Sequence, residues 1–118
     1  MAAGGRFDRE AVLDRLDEDL ELLGELFEDY LEDKDEHLAK VRSAVASSDM
    51  KLLYDGAHAL RGCVANFCAN SAFKVATELQ NLAGANQTSA VVATAQKLES
   101  EIELLTQELR AFVAENKP

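Results

Sequence analysis

Residues 91–112, VVATAQKLESEIELLTQELRAF, contain the most regular pattern in the chain. Their apolar side chains recur at alternating steps of four and three residues, so they fall on one face of an α-helix. The seven positions are Val91, Ala95, Leu98, Ile102, Leu105, Leu109 and Phe112. A face with this heptad spacing packs against other helices. The stretch therefore predicts a long amphipathic helix that forms one wall of a helical core.

Three earlier stretches carry the same helical spacing and are separated by short polar segments. One predicted helix runs from about Asp19 to Ser47–Ser48, and the next runs from about Met50 to Phe67 or Cys68. Another begins at Asn70–Ser71 and ends at Gly84. The acidic run 32–36 interrupts the apolar face of the first of these helices, and we expect a bend or a brief break there. A short helix, capped by Asp8 and ending near Asp17, precedes them. The polar cluster 47–49 is expected both to close the helix before it and to cap the helix after it.

The composition favours a fold built only from helices. The 118 residues include 17 Leu and 19 Ala but only 8 Val and 1 Ile, and the only proline is Pro118. Leu and Ala favour helices, whereas strands favour β-branched and aromatic residues. Four long helices with short connections predict an all-α domain, an antiparallel up-down four-helix bundle with a short extra N-terminal helix. We expect residues 7–118 to form this domain and residues 1–6 to be a flexible tail.

The net charge of −10 is unevenly distributed. Residues 7–36 contain 14 acidic and 3 basic residues, whereas residues 37–118 are balanced. This acidity argues against a nucleic-acid partner and against binding to an anionic membrane surface, because both need a basic face. The acidic segment is either a solvated face or a surface that steers a partner with a basic patch.

The sequence has no apolar run of the roughly 18 residues that a membrane span needs, and its N-terminus does not resemble a signal peptide. We therefore expect no membrane insertion and a cytoplasmic location. Cys63 and Cys68 are five residues apart and form no CxxC pair. With only His37 and His58 as further ligands, they do not make a plausible zinc site, so we interpret them as reduced, structural thiols.

His58 is the residue best placed for chemistry. On the predicted third helix it lies about 140° from the centre of the apolar face and is therefore expected to be exposed. The residue one turn later, which normally covers the one before it, is Gly62 and has no side chain. Arg61, three residues after His58, brings a positive charge to the same face. An exposed neutral imidazole beside a cation is a coherent phosphoryl acceptor.

Each of these residues also has a simpler interpretation. His58 is alternatively a solvated surface residue, Gly62 alternatively permits close approach of two helices, and Arg61 alternatively pairs with Asp55 or another acid. His37 lies beside the acidic run with no glycine or base near it, and we interpret it as a surface residue. No nucleophile–base pair or carboxylate–histidine cluster occurs at local spacing, so nothing supports a hydrolase or a metal enzyme.

The segment 58–69, HALRGCVANFCA, resembles the core motif of the histidine-containing phosphotransfer (HPt) domain family, in which H-x-L-K/R-G precedes small residues and an Asn. The resemblance implies that His58 is phosphorylated on Nε2 and that Arg61 replaces the usual Lys beside the phosphoryl oxygens. It implies that Gly62 lets the partner come close, and that Gln80 hydrogen-bonds the other ring nitrogen. Gln80 is alternatively a polar residue that merely flanks the core position Leu79.

The resemblance further implies a phosphoryl carrier of a multistep His–Asp phosphorelay, with no kinase activity of its own. The partner would be a receiver domain of a response regulator or hybrid kinase, which supplies the aspartate and Mg²⁺, so this chain needs no cofactor. We expect a monomer. The chain departs from the family pattern at Cys63, Val64, Phe67 and Cys68, in the last part of the predicted third helix.

A different class of function also fits the pattern: a helical bundle that serves only as an acidic interaction or dimerisation module. In that case an apolar stripe should remain outside the core, with Val92 and Leu104 exposed together.

Overall fold

The computed structural model describes residues 6–117, and these form an all-α structure with five α-helices and no strands. The helices are α1 (Arg9–Arg15), α2 (Leu20–Ser47), α3 (Met50–Ala65), α4 (Asn70–Gly84) and α5 (Val91–Glu115), with a 3₁₀ turn at Thr88–Ala90 before α5. Residues 1–5 of the predicted tail lie outside the described residues. Arg6, also assigned to the tail, donates hydrogen bonds from its backbone and its guanidinium to the Glu108 carboxylate.

The four long helices contact one another in a closed ring. Helix α3 packs against α2 and α4, and α5 packs against α4 and α2. All seven predicted seam residues of α5 are buried in the resulting core, which confirms the heptad pattern. The short helix α1 adds Val12 to this core, and Phe7, just before it, packs edge-to-face on Phe112 at 5.1 Å between ring centres. No helix of residues 6–117 has both the length and the hydropathy that a membrane span requires.

Aspartates begin three of the helices. Asp8, Asp19 and Asp49 each accept a hydrogen bond from the backbone N–H three residues later, at 3.0–3.1 Å. Each such bond satisfies a donor that the helix itself cannot, and is worth about 1 kcal/mol. The predicted cap at Asp8 is confirmed. Within the predicted cluster 47–49, Ser48 ends α2 in the left-handed conformation and Asp49 caps α3.

The predicted break in α2 is wrong. The helix runs without interruption through residues 32–36. The core face passes from Tyr30 to Leu38 by way of Lys34, whose side chain is mostly buried and whose ammonium pairs with the exposed Asp35 carboxylate. The aliphatic stem of a lysine can cover apolar surface while its charge stays in water. The acidic residues therefore face solvent without disturbing the helix.

The connection between α3 and α4 also differs from the prediction. Helix α3 ends at Ala65, because Cys68 adopts the left-handed conformation (φ 53°) and turns the chain so that Phe67 enters the core. The N-cap of α4 is Ala69 rather than Asn70 or Ser71, and it makes no side-chain cap. The predicted end of α4 at Gly84 is confirmed.

Candidate functional site

His58 lies on the face of α3 that is turned away from the core, as the helical spacing predicts. Its side chain is exposed, whereas Ala57, just before it, and Leu60, two residues after it, are fully buried. The neighbouring helix α4 packs along α3 and brings Gln80 next to the imidazole. Ala69, four residues beyond the end of α3, is buried and does not share this exposed surface.

Gln80 connects His58 with Arg61. Its Oε1 lies 3.4 Å from His58 Nδ1 and 3.4 Å from Arg61 Nη1. The Gln80 side chain is only 7% exposed, so protein groups rather than bulk water must satisfy its amide. The contact with His58 that the family resemblance implied is thus present, and Gln80 does more than flank Leu79.

The guanidinium of Arg61 determines which way the Gln80 amide points. Arginine has only donors, so the amide atom facing it must be the oxygen. The same oxygen faces His58 Nδ1, which must then carry the proton and donate. A neutral imidazole protonated on Nδ1 has its lone pair on Nε2. The arrangement therefore leaves the Nε2 atom of this exposed histidine unprotonated, with its lone pair free.

Arg61 also supplies an unneutralised charge beside the imidazole. Its guanidinium carbon lies 4.8 Å from the centre of the Phe73 ring, at cation–π distance. Within residues 6–117 no carboxylate forms an ion pair with Arg61, so the alternative pairing with Asp55 is wrong. A cation without a carboxylate partner is available to an incoming anion.

Gly62 faces open space. A Cβ atom added there would meet no atom within 4 Å, so the alternative that Gly62 permits close helix packing is wrong. The glycine that does serve packing is Gly56, where a Cβ would lie 3.0 Å from Val41 Cγ2 on α2. Helix packing therefore does not require a glycine at residue 62, and the surface one turn beyond His58 is open.

Sequence reasoning missed Tyr54, one turn before His58. The Gln80 Nε2 amide donates to the Tyr54 hydroxyl at 3.1 Å. The Tyr54 ring is nearly parallel to the imidazole, with an interplanar angle of 4° and 6.3 Å between ring centres. The spacing of four residues between an aromatic side chain and the histidine on one helix face was the available signal.

The other candidate groups lie outside this cluster. His37 is half-buried rather than on the surface, and its Nδ1 has no hydrogen-bond partner among the described residues. Burial, with a contribution from Asp33, raises the pKa of the Cys63 thiol to about 11, which makes it a poor nucleophile at neutral pH. In the part of the chain that the structure describes, no three histidine, cysteine or carboxylate side chains come together to hold a metal ion.

The two apolar residues that would mark an oligomer contact are both exposed, Val92 at 52% and Leu104 at 39%. They are twelve residues apart on α5, which separates them by about 18 Å along the helix and about 120° around it. They therefore do not form one apolar stripe, and isolated exposed apolar side chains are common on protein surfaces.

Comparison with known proteins identifies one family. The model of the Hpt domain matches residues 25–114, a range that includes His58, Arg61, Gly62 and Gln80. No curated protein and no solved structure matches the chain. Hpt domains are phosphocarrier modules of phosphorelays rather than kinases, and the match extends over most of the five-helix structure. This chain belongs to the Hpt domain family.

Proposed function

We propose that this chain carries phosphoryl groups in a His–Asp phosphorelay, and that His58 Nε2 accepts them from, and returns them to, the aspartate of a receiver domain. The observation that carries the proposal is the position of Gln80 Oε1, within hydrogen-bond distance of both His58 Nδ1 and Arg61 Nη1. One buried amide oxygen thereby orients the nucleophile and keeps a cation beside it.

In the proposed step, the Nε2 lone pair forms a bond to phosphorus while the bond from phosphorus to the aspartyl oxygen breaks, and the carboxylate leaves with that electron pair. The ring keeps its Nδ1 proton and donates a hydrogen bond through it to Gln80 Oε1, a bond that strengthens as positive charge develops on the imidazole. Arg61 attracts the phosphoryl oxygens, and Gly62 leaves room for the partner. Positioning and charge neutralisation do most of the catalysis of such a transfer.

The proposal includes a receiver domain of a response regulator or hybrid kinase as partner, with Mg²⁺ on that partner and no cofactor on this chain. It also includes an antiparallel up-down four-helix arrangement, which the closed ring of contacts among α2 to α5 supports. We take residues 7–118 as the functional domain and a monomer as its working form. The free Cys63 and Cys68 are compatible with a cytoplasmic, reducing location.

The test is transfer from a receiver domain that has been charged with a small phosphodonor in Mg²⁺. The intact mass of this chain is measured at neutral pH for the wild type, for His58→Gln and for His37→Gln. The chain has only two histidines, so His37→Gln is a matched control. We expect one acid-labile phosphoryl group on the wild type and on His37→Gln, and none on His58→Gln.

Label that persists in His58→Gln would contradict the assignment of the site. An unlabelled wild type with every receiver domain of its own organism would contradict the carrier function and would favour the acidic interaction or dimerisation module. In that second case the affinity for a partner, rather than phosphoryl transfer, would be the property to measure.

A further inference from the structure

The hydroxyl of Tyr54 completes the hydrogen bonding of the buried Gln80 amide. We propose that Tyr54 is a positioning residue, which holds this amide so that His58 remains protonated on Nδ1 and presents the lone pair of Nε2. The effect on the imidazole tautomer is independent of any partner, whereas the consequence for phosphoryl transfer rests on the proposed function.

The amide of Gln80 has two ends, and each needs a different partner. Its oxygen accepts from His58 and Arg61, both at 3.4 Å, which are long hydrogen bonds. Its Nε2 donates to the Tyr54 hydroxyl at the shorter distance of 3.1 Å. Among the described residues, Tyr54 provides the acceptor for this nitrogen. The shortest of the three hydrogen bonds of the amide is therefore the one that Nε2 makes with Tyr54, and not one of the two that Oε1 makes.

Tyr54 has two further neighbours. Its ring lies parallel to the imidazole of His58, in the offset arrangement that aromatic rings prefer. A Cβ atom added at Gly84 would lie 3.4 Å from Tyr54 Cδ2 and Cε2. The phenol therefore lies close both to the imidazole and to the last residue of α4, although Tyr54 is 39% exposed. Burial alone does not account for a tyrosine in this place.

Loss of the hydroxyl should free the amide to move. If the amide keeps its orientation, Nε2 of Gln80 has no protein acceptor. If the amide rotates, Nε2 comes to face the Arg61 guanidinium, and both of these groups are hydrogen-bond donors. In either case Oε1 accepts less well from His58 Nδ1. The imidazole can then adopt the other tautomer, whose proton is on Nε2 and whose Nε2 has no lone pair for phosphorus.

The tautomer can be measured directly by ¹⁵N NMR of the histidine rings, at a pH of about 8 where an ordinary imidazole is neutral. Tyr54→Phe keeps the ring and removes only the hydroxyl. We expect the ratio of Nδ1–H to Nε2–H tautomer of His58 to fall roughly threefold to tenfold, the equilibrium effect of one hydrogen bond. Tyr30→Phe is the matched control, because its hydroxyl bonds Thr106 in the core, and it should leave the ratio unchanged.

A second variant tests the same contact without altering the phenol. The Cβ atom of a valine at residue 84 would contact the Tyr54 ring, and its two methyl groups would reach further. Gly84→Val should therefore push the ring aside and lower the tautomer ratio, as Tyr54→Phe does. If the ratio in Tyr54→Phe and Gly84→Val equals that of the wild type, the positioning role is wrong.

Phosphoryl transfer gives the functional readout. With a charged receiver domain, Tyr54→Phe should lower the rate constant of transfer by the factor by which it lowers the fraction of the Nδ1–H tautomer, without changing the receiver concentration needed for half-saturation. Slower transfer with an unchanged tautomer would overturn the proposed route of action. A changed tautomer in a chain that no receiver labels would leave the positioning role intact and refute the carrier function instead.

Discussion

Gly62 offers a test in which stability and function should change in opposite directions. It lies inside α3, where glycine costs about 1 kcal/mol relative to alanine because it has more backbone freedom to lose. A Cβ added there would meet nothing within 4 Å, so Gly62→Ala gains the helix propensity without a steric cost. A Cβ added at Gly24 in α2 would likewise meet nothing within 4 Å, which makes Gly24 a matched control.

We expect Gly62→Ala and Gly24→Ala each to raise the free energy of unfolding by about 1 kcal/mol. For a chain of this length the entropy of unfolding is about 0.25 kcal/mol/K, so each substitution should raise Tm by about 4 °C. The two glycines share no neighbours, and the double variant should therefore gain about 2 kcal/mol. Urea denaturation followed by circular dichroism measures these differences.

Phosphoryl transfer should separate the two positions. Gly62→Gln places a side chain over the turn that carries His58, and its helix propensity still exceeds that of glycine. We expect it to be more stable than the wild type but at least tenfold slower in transfer, whereas Gly24→Gln should transfer at the wild-type rate. Wild-type transfer by Gly62→Gln would refute the argument that this glycine keeps the imidazole accessible, and a destabilised Gly62→Ala would refute the argument that the space is open.

Three further substitutions or conditions follow from the same structure. Gly56→Ala should lower the free energy of unfolding by about 1 kcal/mol despite the higher helix propensity of alanine, because the new Cβ would lie 3.0 Å from the buried and stiff Val41 side chain. A higher free energy of unfolding in urea denaturation would contradict this. Cys68→Gly should be about 1 kcal/mol more stable than Cys68→Ala, the reverse of the order inside a helix, since residue 68 has a φ of 53°; equal urea midpoints would show that the turn relaxes. Burial raises the pKa of Tyr30 to about 12 and that of Cys63 to about 11, above the ordinary values of 10.0 and 9.0, so the folded state holds these protons more tightly than the unfolded state. The contribution of these two groups to stability should then be constant below about pH 9 and should fall from pH 9 towards 12. In urea titrations at a series of pH values, Cys63→Ala should remove the lower part of that fall. A pH profile unchanged by Cys63→Ala would contradict the raised pKa of the thiol.

The sequence was most informative where a periodic pattern sufficed. The heptad spacing in residues 91–112 located α5, and the spacing of His58, Arg61 and Gly62 on one helix predicted an exposed imidazole with a cation beside it. It was less informative about α2, because a lysine stem at residue 34 continued the core face that apolar residues alone seemed to interrupt. Periodicity counts residue types and overlooks the apolar part of a charged side chain.

Contacts between helices were beyond the reach of sequence periodicity. Gly56 and Gly62 are both helical glycines on α3, but only the arrangement of α2 shows that the first contacts Val41 and the second contacts nothing. Gln80 was found through the family resemblance, whereas the direction of its amide depended on Arg61 and Tyr54 together. Those relations exist only after α3 and α4 have packed.

All the residues around the imidazole belong to α3 and α4, two consecutive helices joined by the short turn at residues 66–69. His58 and Gln80 are only 22 residues apart in the chain. Contacts of such short sequence separation form faster than those that close a long loop, such as the packing of α2 against α5. We therefore expect this helical hairpin to assemble early in folding, so that the geometry around His58 is established before the ring of helices closes.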